Sequence, residues 1–178
     1  MRVAMVVGRS TGGIGLHAVD LATHLRALGD DVVFVTDDLT ADRFELTDAL
    51  RWWPARGGGL RGGVSSLRRL HRLARTSDVV HAHGHQAGLL VVLAAMGTST
   101  PVVVSQHNAV LGGAGPRASL SRLVQALVQA VVARRAALVT GASTDLVEVA
   151  TAHGARAARL APVPSPRVPA LAAAPLLG

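Results

Sequence analysis

The sequence has 178 residues, of which 49% are hydrophobic and 16% charged. This composition is typical of a globular domain with a buried core and excludes a disordered chain. Cysteine, lysine and tyrosine do not occur. Their absence rules out disulfides, cysteine nucleophiles, a P-loop lysine and Schiff-base chemistry. The net charge of +7 favours an anionic partner, such as a nucleotide phosphate or an acidic lipid surface, whereas 2% aromatic residues argue against nucleic-acid binding.

Apolar runs and helical spacings alternate along the chain. In chain order, they predict a strand over residues 2–7, a helix over 16–28, strands over 32–36 and 49–53, a helix over 64–75, a strand over 78–82, a helix over 86–96, a strand over 101–105, a helix over 117–135, a strand over 137–140, a helix over 143–152 and a strand over 157–160. Residues 8–13 and 56–63 are glycine-rich; we expect a loop over 8–13 and a flexible segment over 56–63.

This alternation predicts an α/β fold: a doubly wound, mainly parallel, Rossmann-like sheet with helices on both faces. In such a sheet the ligand crevice lies beyond the carboxyl ends of the strands. We expect this domain to cover residues 1–161. Residues 162–178 are rich in proline and alanine, which predicts a linker towards a further domain or, alternatively, a frayed terminus.

The hydropathy pattern contains no convincing export signal, because Gly8 and Arg9 interrupt the first apolar run. The longest apolar run, residues 87–97, is far shorter than the roughly 20 residues that span a bilayer. We therefore expect a cytoplasmic protein that is at most peripheral at the inner face of the membrane.

The first candidate site is the glycine turn that joins the first strand to the first helix, with Gly12, Gly13 and His17. Glycines allow close approach of a ligand, and a helix start offers unpaired N–H groups to a phosphate or a hydroxyl. A tight turn without a ligand is the alternative. The glycine spacing does not fit a dinucleotide-binding fingerprint, although Asp37 and Asp38 leave open a nucleotide-binding domain of an oxidoreductase or epimerase type.

The second candidate is a set of histidines at alternate positions, His81, His83 and His85, which share one side of a strand. Such a set can ligate zinc, with His107 or Asp78 as a fourth ligand. We favour a wall that binds sugar, and assign no metal.

The third candidate follows the strand at residues 101–105, where His107 and Asn108 lie at the edge at which ligands bind. Histidine donates or accepts a proton near neutral pH, and a structural histidine is the alternative.

Four segments together resemble the N-terminal, acceptor-side domain of family 4 retaining glycosyltransferases, which have the GT-B architecture. They are Gly-Gly-Ile-Gly-Leu-His at 12–17 followed by residues 21–22 and 25–32, Asp-Val-Val-His-Ala-His-Gly at 78–84, the strand and histidine at 101–107, and residues 137–146 followed by 153–155. The order and spacing hold over residues 1–165. Asn108 stands where the family usually has glycine.

The resemblance implies transfer of a sugar from a nucleotide-sugar donor to an acceptor with retention and without a required metal or other cofactor. Gly12 and Gly13 would approach the donor diphosphate and the acceptor, and His107 would be the catalytic residue beside the transferred sugar. His17, His83, Asn108 and Ser143 would line the cleft. The C-terminal domain that holds the donor lies outside this sequence, so we expect no transfer by this chain alone.

Arginines on the helix predicted at 64–75 form a basic face, with Arg68, Arg72 and Arg75. This face is either solvated or docks on anionic lipid, as some relatives glycosylate lipid acceptors at a membrane. A non-catalytic remnant that binds a partner protein remains a further alternative.

Overall fold

The computed structural model of the protein describes residues 1–51, 59–108 and 118–161. These residues form seven strands and six helices. In chain order they are β1 (Arg2–Val7), α1 (Gly13–Ala27), β2 (Asp31–Thr36), α2 (Asp38–Arg43), β3 (Leu50–Arg51), α3 (Gly59–Arg75), β4 (Val79–His83), α4 (His85–Ala94), β5 (Val102–Gln106), α5 (Ala118–Arg135), β6 (Leu138–Gly141), α6 (Thr144–Ala152) and β7 (Ala158–Leu160).

The strands form one sheet in the order β3-β2-β1-β4-β5-β6-β7, and every described pair is parallel. Val6 in β1 is in register with Val35 of β2 and Ala82 of β4. The chain winds outwards in both directions from β1, so the strand order reverses between β1 and β4. This confirms the predicted doubly wound α/β fold and places the crevice at the carboxyl ends of those two strands.

Alternate residues of β1 enter two separate cores, one on each face of the sheet. Ala4 and Val6 belong to the core that α3, α4 and α5 cover, whereas Val3, Met5 and Val7 belong to the core that α1 and α2 cover. Because both faces are buried, the strands are continuous apolar runs instead of alternating ones.

Two stretches differ from the sequence-based prediction. α3 begins at Gly59 and runs through Gly62 and Gly63, where a flexible segment was predicted; residues 56–58 lie outside the described residues. Glycine costs about 1 kcal/mol in a helix, and the buried Leu70 and Leu73 further along anchor the helix to the sheet. α2 was missed because it has only six residues. Of the strand predicted at 49–53, Leu50 and Arg51 are described as strand.

Gly88 lies where α4 crosses the sheet and leaves no room for a side chain. A Cβ atom there would lie 2.8 Å from Cγ1 of Val104 and 3.6 Å from Cγ1 of Val132. Gly63 is also helical, yet a Cβ atom there would meet nothing within 4 Å. Substitution of Gly63 by alanine therefore changes helix propensity alone, whereas the same substitution at Gly88 also changes the packing of α4 on the sheet.

We expect Gly88→Ala to lower the free energy of unfolding by about 1–3 kcal/mol, because overpacking outweighs the gain in helix propensity. The matched variant Gly63→Ala should raise it by about 0.5–1 kcal/mol. Urea unfolding followed by circular dichroism measures both changes. Equal effects of the two substitutions would contradict the close packing of α4 on β5.

Candidate functional site

Three histidines that are distant in sequence meet at the carboxyl edge of the sheet. His17 is in α1, His83 ends β4, and His107 follows β5. The ring centroid of His17 lies 5.7 Å from that of His83 and 5.2 Å from that of His107. Gly13 precedes His17 by one helical turn, so both lie on the same side of α1. The structure thus gathers Gly13, His83 and His107 along one rim.

Hydrogen bonds fix the proton positions in this cluster. Nε2 of the buried His83 lies 3.0 Å from the Sδ atom of Met5, and its Nδ1 lies 3.2 Å from Nε2 of His107. A thioether sulfur only accepts, so Nε2 of His83 carries the proton and Nδ1 is an acceptor. His107 therefore donates from Nε2, and in its neutral form its Nδ1 is an acceptor.

A second layer of polar side chains lies behind the cluster. The His81 ring stacks on the His83 ring at 4.4 Å, and its Nε2 lies 2.7 Å from the Ser105 hydroxyl. That hydroxyl lies 2.7 Å from the hydroxyl of Thr140. This row of hydrogen-bonded side chains crosses β4, β5 and β6 and holds the His83 ring in place. Sequence reasoning missed it, although strand register, which pairs Ser105 with both His83 and Thr140, is the signal that would have found it.

All four rings are held in their neutral form. Burial lowers the pKa of His81 to about 4, with help from the nearby His17 and His107. Burial, and then the charge of His17, lowers the pKa of His107 to about 4. The pKa of His83 is well below its usual value because of burial and the neighbouring rings, and burial also lowers the pKa of His17. At neutral pH the cluster offers hydrogen bonds, not positive charge.

The glycines of the turn before α1 differ in what they do. A Cβ atom on Gly15 would clash with the Phe44 ring and lie 2.8 Å from the Ser10 carbonyl oxygen, so packing demands glycine there. At Gly12 and Gly13 a Cβ atom would meet nothing within 4 Å. Both are exposed, and neither has a positive φ angle. The described protein therefore does not itself require glycine at these two positions, which leaves room for a ligand against the backbone.

Neighbouring side chains hold the turn rigidly. The Ser10 hydroxyl accepts from the Gly15 N–H, and the Ser10 N–H donates to the Thr40 hydroxyl, both at 2.9 Å. Asp37 accepts from Arg9 Nε at 2.7 Å and from the Thr40 N–H at 2.9 Å. Burial opposes ionisation of Asp37, but the hydrogen bonds from Arg9 and Thr40 outweigh burial and lower its pKa. Both oxygens of this carboxylate are thus engaged by the protein.

The histidine set differs from the one proposed for zinc on sequence grounds. β4 ends at His83, and Gly84, with a φ angle of +85°, turns the chain into α4. His85 therefore leaves the strand, and its Nε2 lies 3.1 Å from the carbonyl oxygen of Asn108. Asp78 precedes β4 at the opposite end of the sheet, where it accepts from the Arg2 N–H. The ligand atoms that do come together, within 4.8 Å of one another, belong to His17, His83 and His107.

The remaining predicted residues lie at the same edge of the sheet but further out. Asn108 is exposed directly after His107 and contributes its carbonyl oxygen to His85. Ser143 is exposed at the start of α6, after β6, and makes no side-chain cap hydrogen bond. In residues 1–51, 59–108 and 118–161, no side-chain hydrogen bond joins Asn108 or Ser143 to the rings of His17, His83 and His107.

Comparison with known proteins agrees with this architecture. The chain belongs to the Glycosyl transferase 4-like domain family, whose profile matches residues 12–166. A search of curated protein sequences gave no significant match.

Solved structures show the same fold at low sequence identity. HepE of Anabaena, in complex with UDP and glucose, superposes with a TM-score of 0.68 at 17% identity, over 90% of this chain and 43% of that chain. MurG of Acinetobacter baumannii gives 0.55 at 20% identity, over 79% and 41%. UDP-N-acetylglucosamine 2-epimerase of Rickettsia bellii gives 0.62 at 10% identity, over 89% and 44%. The chain spans less than half of each and corresponds to one half of a GT-B fold.

Within residues 1–51, 59–108 and 118–161, no helix combines the length and the apolar character of a membrane span.

The neutral histidines make stability depend on pH. Unfolded histidines bind a proton near their usual pKa of 6.5, whereas His81 and His107 bind one only near pH 4 when folded. Between these values the unfolded state holds more protons, so the free energy of unfolding falls as pH is lowered. Denaturant unfolding from neutral pH to about pH 5 measures this slope. His107→Asn should give a shallower slope of the free energy of unfolding against pH. The control variant His24→Asn, at an exposed position of α1, should keep the wild-type slope. An unchanged slope in His107→Asn would contradict the neutral cluster.

Proposed function

We propose that this chain is the acceptor-side half of a glycosyltransferase that moves a sugar from a nucleotide-sugar donor to an acceptor with retention of configuration. The observation that carries the proposal is the pairing of an open glycine turn with a neutral histidine cluster at the crevice of the sheet. A helix start attracts phosphate, and neutral imidazoles hydrogen-bond to hydroxyl groups. These are the two kinds of group that a nucleotide sugar presents.

The glycine turn is suited to the donor diphosphate. Gly12 and Gly13 are exposed at the start of α1, with open space where their side chains would be. Unpaired N–H groups there, together with the helix dipole, would stabilise the charge that grows on the leaving diphosphate during transfer. This contribution needs no metal ion.

His107 is suited to a sugar hydroxyl. Its Nε2 is used by His83, so Nδ1, as an acceptor, is the atom it offers. With a pKa of about 4 it is uncharged at neutral pH. We therefore infer that His107 orients the transferred sugar by accepting a hydrogen bond, and does not act as a cation or as a general acid. Its contribution to the rate would come from positioning.

A second lobe completes the site in this proposal. Gly12 and Gly13 are exposed and His107 is half-buried, whereas transfer requires exclusion of water from the donor. HepE, of which the chain covers 43%, was crystallised with UDP and glucose. We infer that a C-terminal Rossmann-like lobe supplies most contacts to the donor, and that this chain alone transfers no sugar.

A titration of the isotope-labelled chain with UDP-glucose, followed by NMR, tests the donor site. We expect shifts at the amides of Gly12 and Gly13 and at the His107 ring, weakened at least tenfold by Gly13→Ala and unchanged by Gly63→Ala. NAD is the comparison ligand. Shifts centred on Asp37 with NAD, and none with UDP-glucose, would favour the oxidoreductase alternative. Turnover of a radiolabelled nucleotide sugar by this chain alone would contradict its dependence on a second lobe.

A membrane-bound acceptor is the acceptor class that the surface of α3 favours. A groove of about 880 Å³ runs along α3 and the end of α4, and its lining combines Arg61, Arg68 and Arg72 with the exposed apolar Leu93 and Met96. Arginine beside exposed apolar side chains suits the interface of an anionic bilayer. Peripheral attachment through this groove would bring a lipid-linked acceptor to the enzyme.

Flotation with liposomes tests this attachment. We expect the chain to float with vesicles that contain phosphatidylglycerol, to remain at the bottom with phosphatidylcholine vesicles, and to be released by salt. The double variant Arg68→Ser/Arg72→Ser should lose most of the binding. Arg135→Ser/Arg156→Ser removes the same charge from exposed positions elsewhere and should keep it. Equal loss in both double variants would show attraction by net charge alone and would contradict a specific groove.

A further inference from the structure

We propose that His17, His83 and His107 form a binding site for a borderline divalent transition metal, with Zn²⁺ as the ion that fits best. The inference goes beyond the proposed function, which requires no metal. It concerns binding to the chain itself, and it holds or fails independently of sugar transfer.

The spacing of the nitrogens suits one ion. The ligand atoms of the three rings lie within 4.8 Å of one another. Two imidazole nitrogens bound to a tetrahedral zinc at about 2.0–2.1 Å lie about 3.3 Å apart. Nδ1 of His83 and Nε2 of His107 are already 3.2 Å apart. Zinc would thus replace the hydrogen bond between these two rings without separating them.

The protonation pattern suits a metal as well. A histidine that binds a metal usually donates its other N–H to a fixed acceptor. In His83 that acceptor is the Sδ atom of Met5, which leaves the lone pair of Nδ1 directed at the cluster. His107 would carry its single proton on Nδ1 instead of Nε2, a change of tautomer that neither gains nor loses a proton. His17 makes no side-chain hydrogen bond to any described residue, so a nitrogen of this ring is free to coordinate.

The surroundings decide which ion and which coordination are expected. His83 is buried on β4, whereas His17 and His107 are half-buried and border the open crevice. Three imidazoles without thiolate or carboxylate favour zinc, cobalt, nickel and copper over magnesium and calcium. Three protein ligands leave a fourth position, on the side of the crevice, for water or for an anionic oxygen. A bound zinc would therefore occupy the space that a sugar needs.

Cobalt titration of the untagged chain is the test. We expect saturation at one Co²⁺ per chain, visible absorption of the intensity typical of tetrahedral cobalt, and displacement by Zn²⁺ but not by Mg²⁺. His17→Gln should weaken binding at least tenfold. The matched control His24→Gln, at an exposed position of the same helix, should leave binding unchanged. Circular dichroism confirms that both variants are folded.

Nitrogen NMR of the histidine rings provides the second measurement. Addition of Zn²⁺ should shift ring nitrogens of His17, His83 and His107 and change the tautomer of His107. Shifts confined to His71 or His153, or equal affinity of wild type and His17→Gln, would overturn the proposal. So would the weak spectrum of octahedral cobalt. Because no sugar is present, such a result would leave the proposed function standing.

Discussion

The buried imidazole of His83 is the interaction on which the rest of the site depends. Its ring lies between those of His81 and His107, and its two nitrogens face Met5 in the core and His107 at the rim. Burial makes a charged form costly, so the ring is stable only as a neutral group with both nitrogens satisfied. The parallel register of β1, β4 and β5 supplies those partners. A shift of the β4 register by one residue would turn His83 to the other face of the sheet and separate it from His107.

In the glycine turn, one glycine is closely packed and its neighbours are open to solvent. Gly15 is required by Phe44 and the Ser10 carbonyl, so it fixes how closely α1 approaches the chain around it. The hydrogen bonds of Ser10 then make the loop rigid. Gly12 and Gly13 lie outside this packed region, with space around them. A rigid turn with exposed backbone is preorganised for a ligand, since little conformational entropy remains to be lost on binding.

Much of the fold, but only part of the site, could be predicted from the sequence. Continuous apolar runs located all the main strands, and the rule for parallel sheets placed His83 and His107 at one edge. The resemblance placed His17 in the same cleft, but its direct ring contacts with His83 and His107 could not be predicted, because they depend on how α1 is rotated over the sheet. His85 was assigned to the strand because a period of two does not reveal that Gly84 turns the chain. α3 was predicted too short, since local glycine propensity conceals the anchoring provided by Leu70 and Leu73.

The contact between Met5 and His83 has a consequence for how such a site can change over time. A sulfur atom inside the core determines which nitrogen of His83 carries the proton, and His83 in turn determines which nitrogen His107 presents to the crevice. A hydrophobic core residue, Met5, thus determines whether His107 presents a hydrogen-bond donor or an acceptor to the crevice. An apolar replacement such as leucine at position 5 would release this constraint and allow either tautomer. Evolution can therefore alter what the rim recognises through a core position that sequence comparison would class as packing alone.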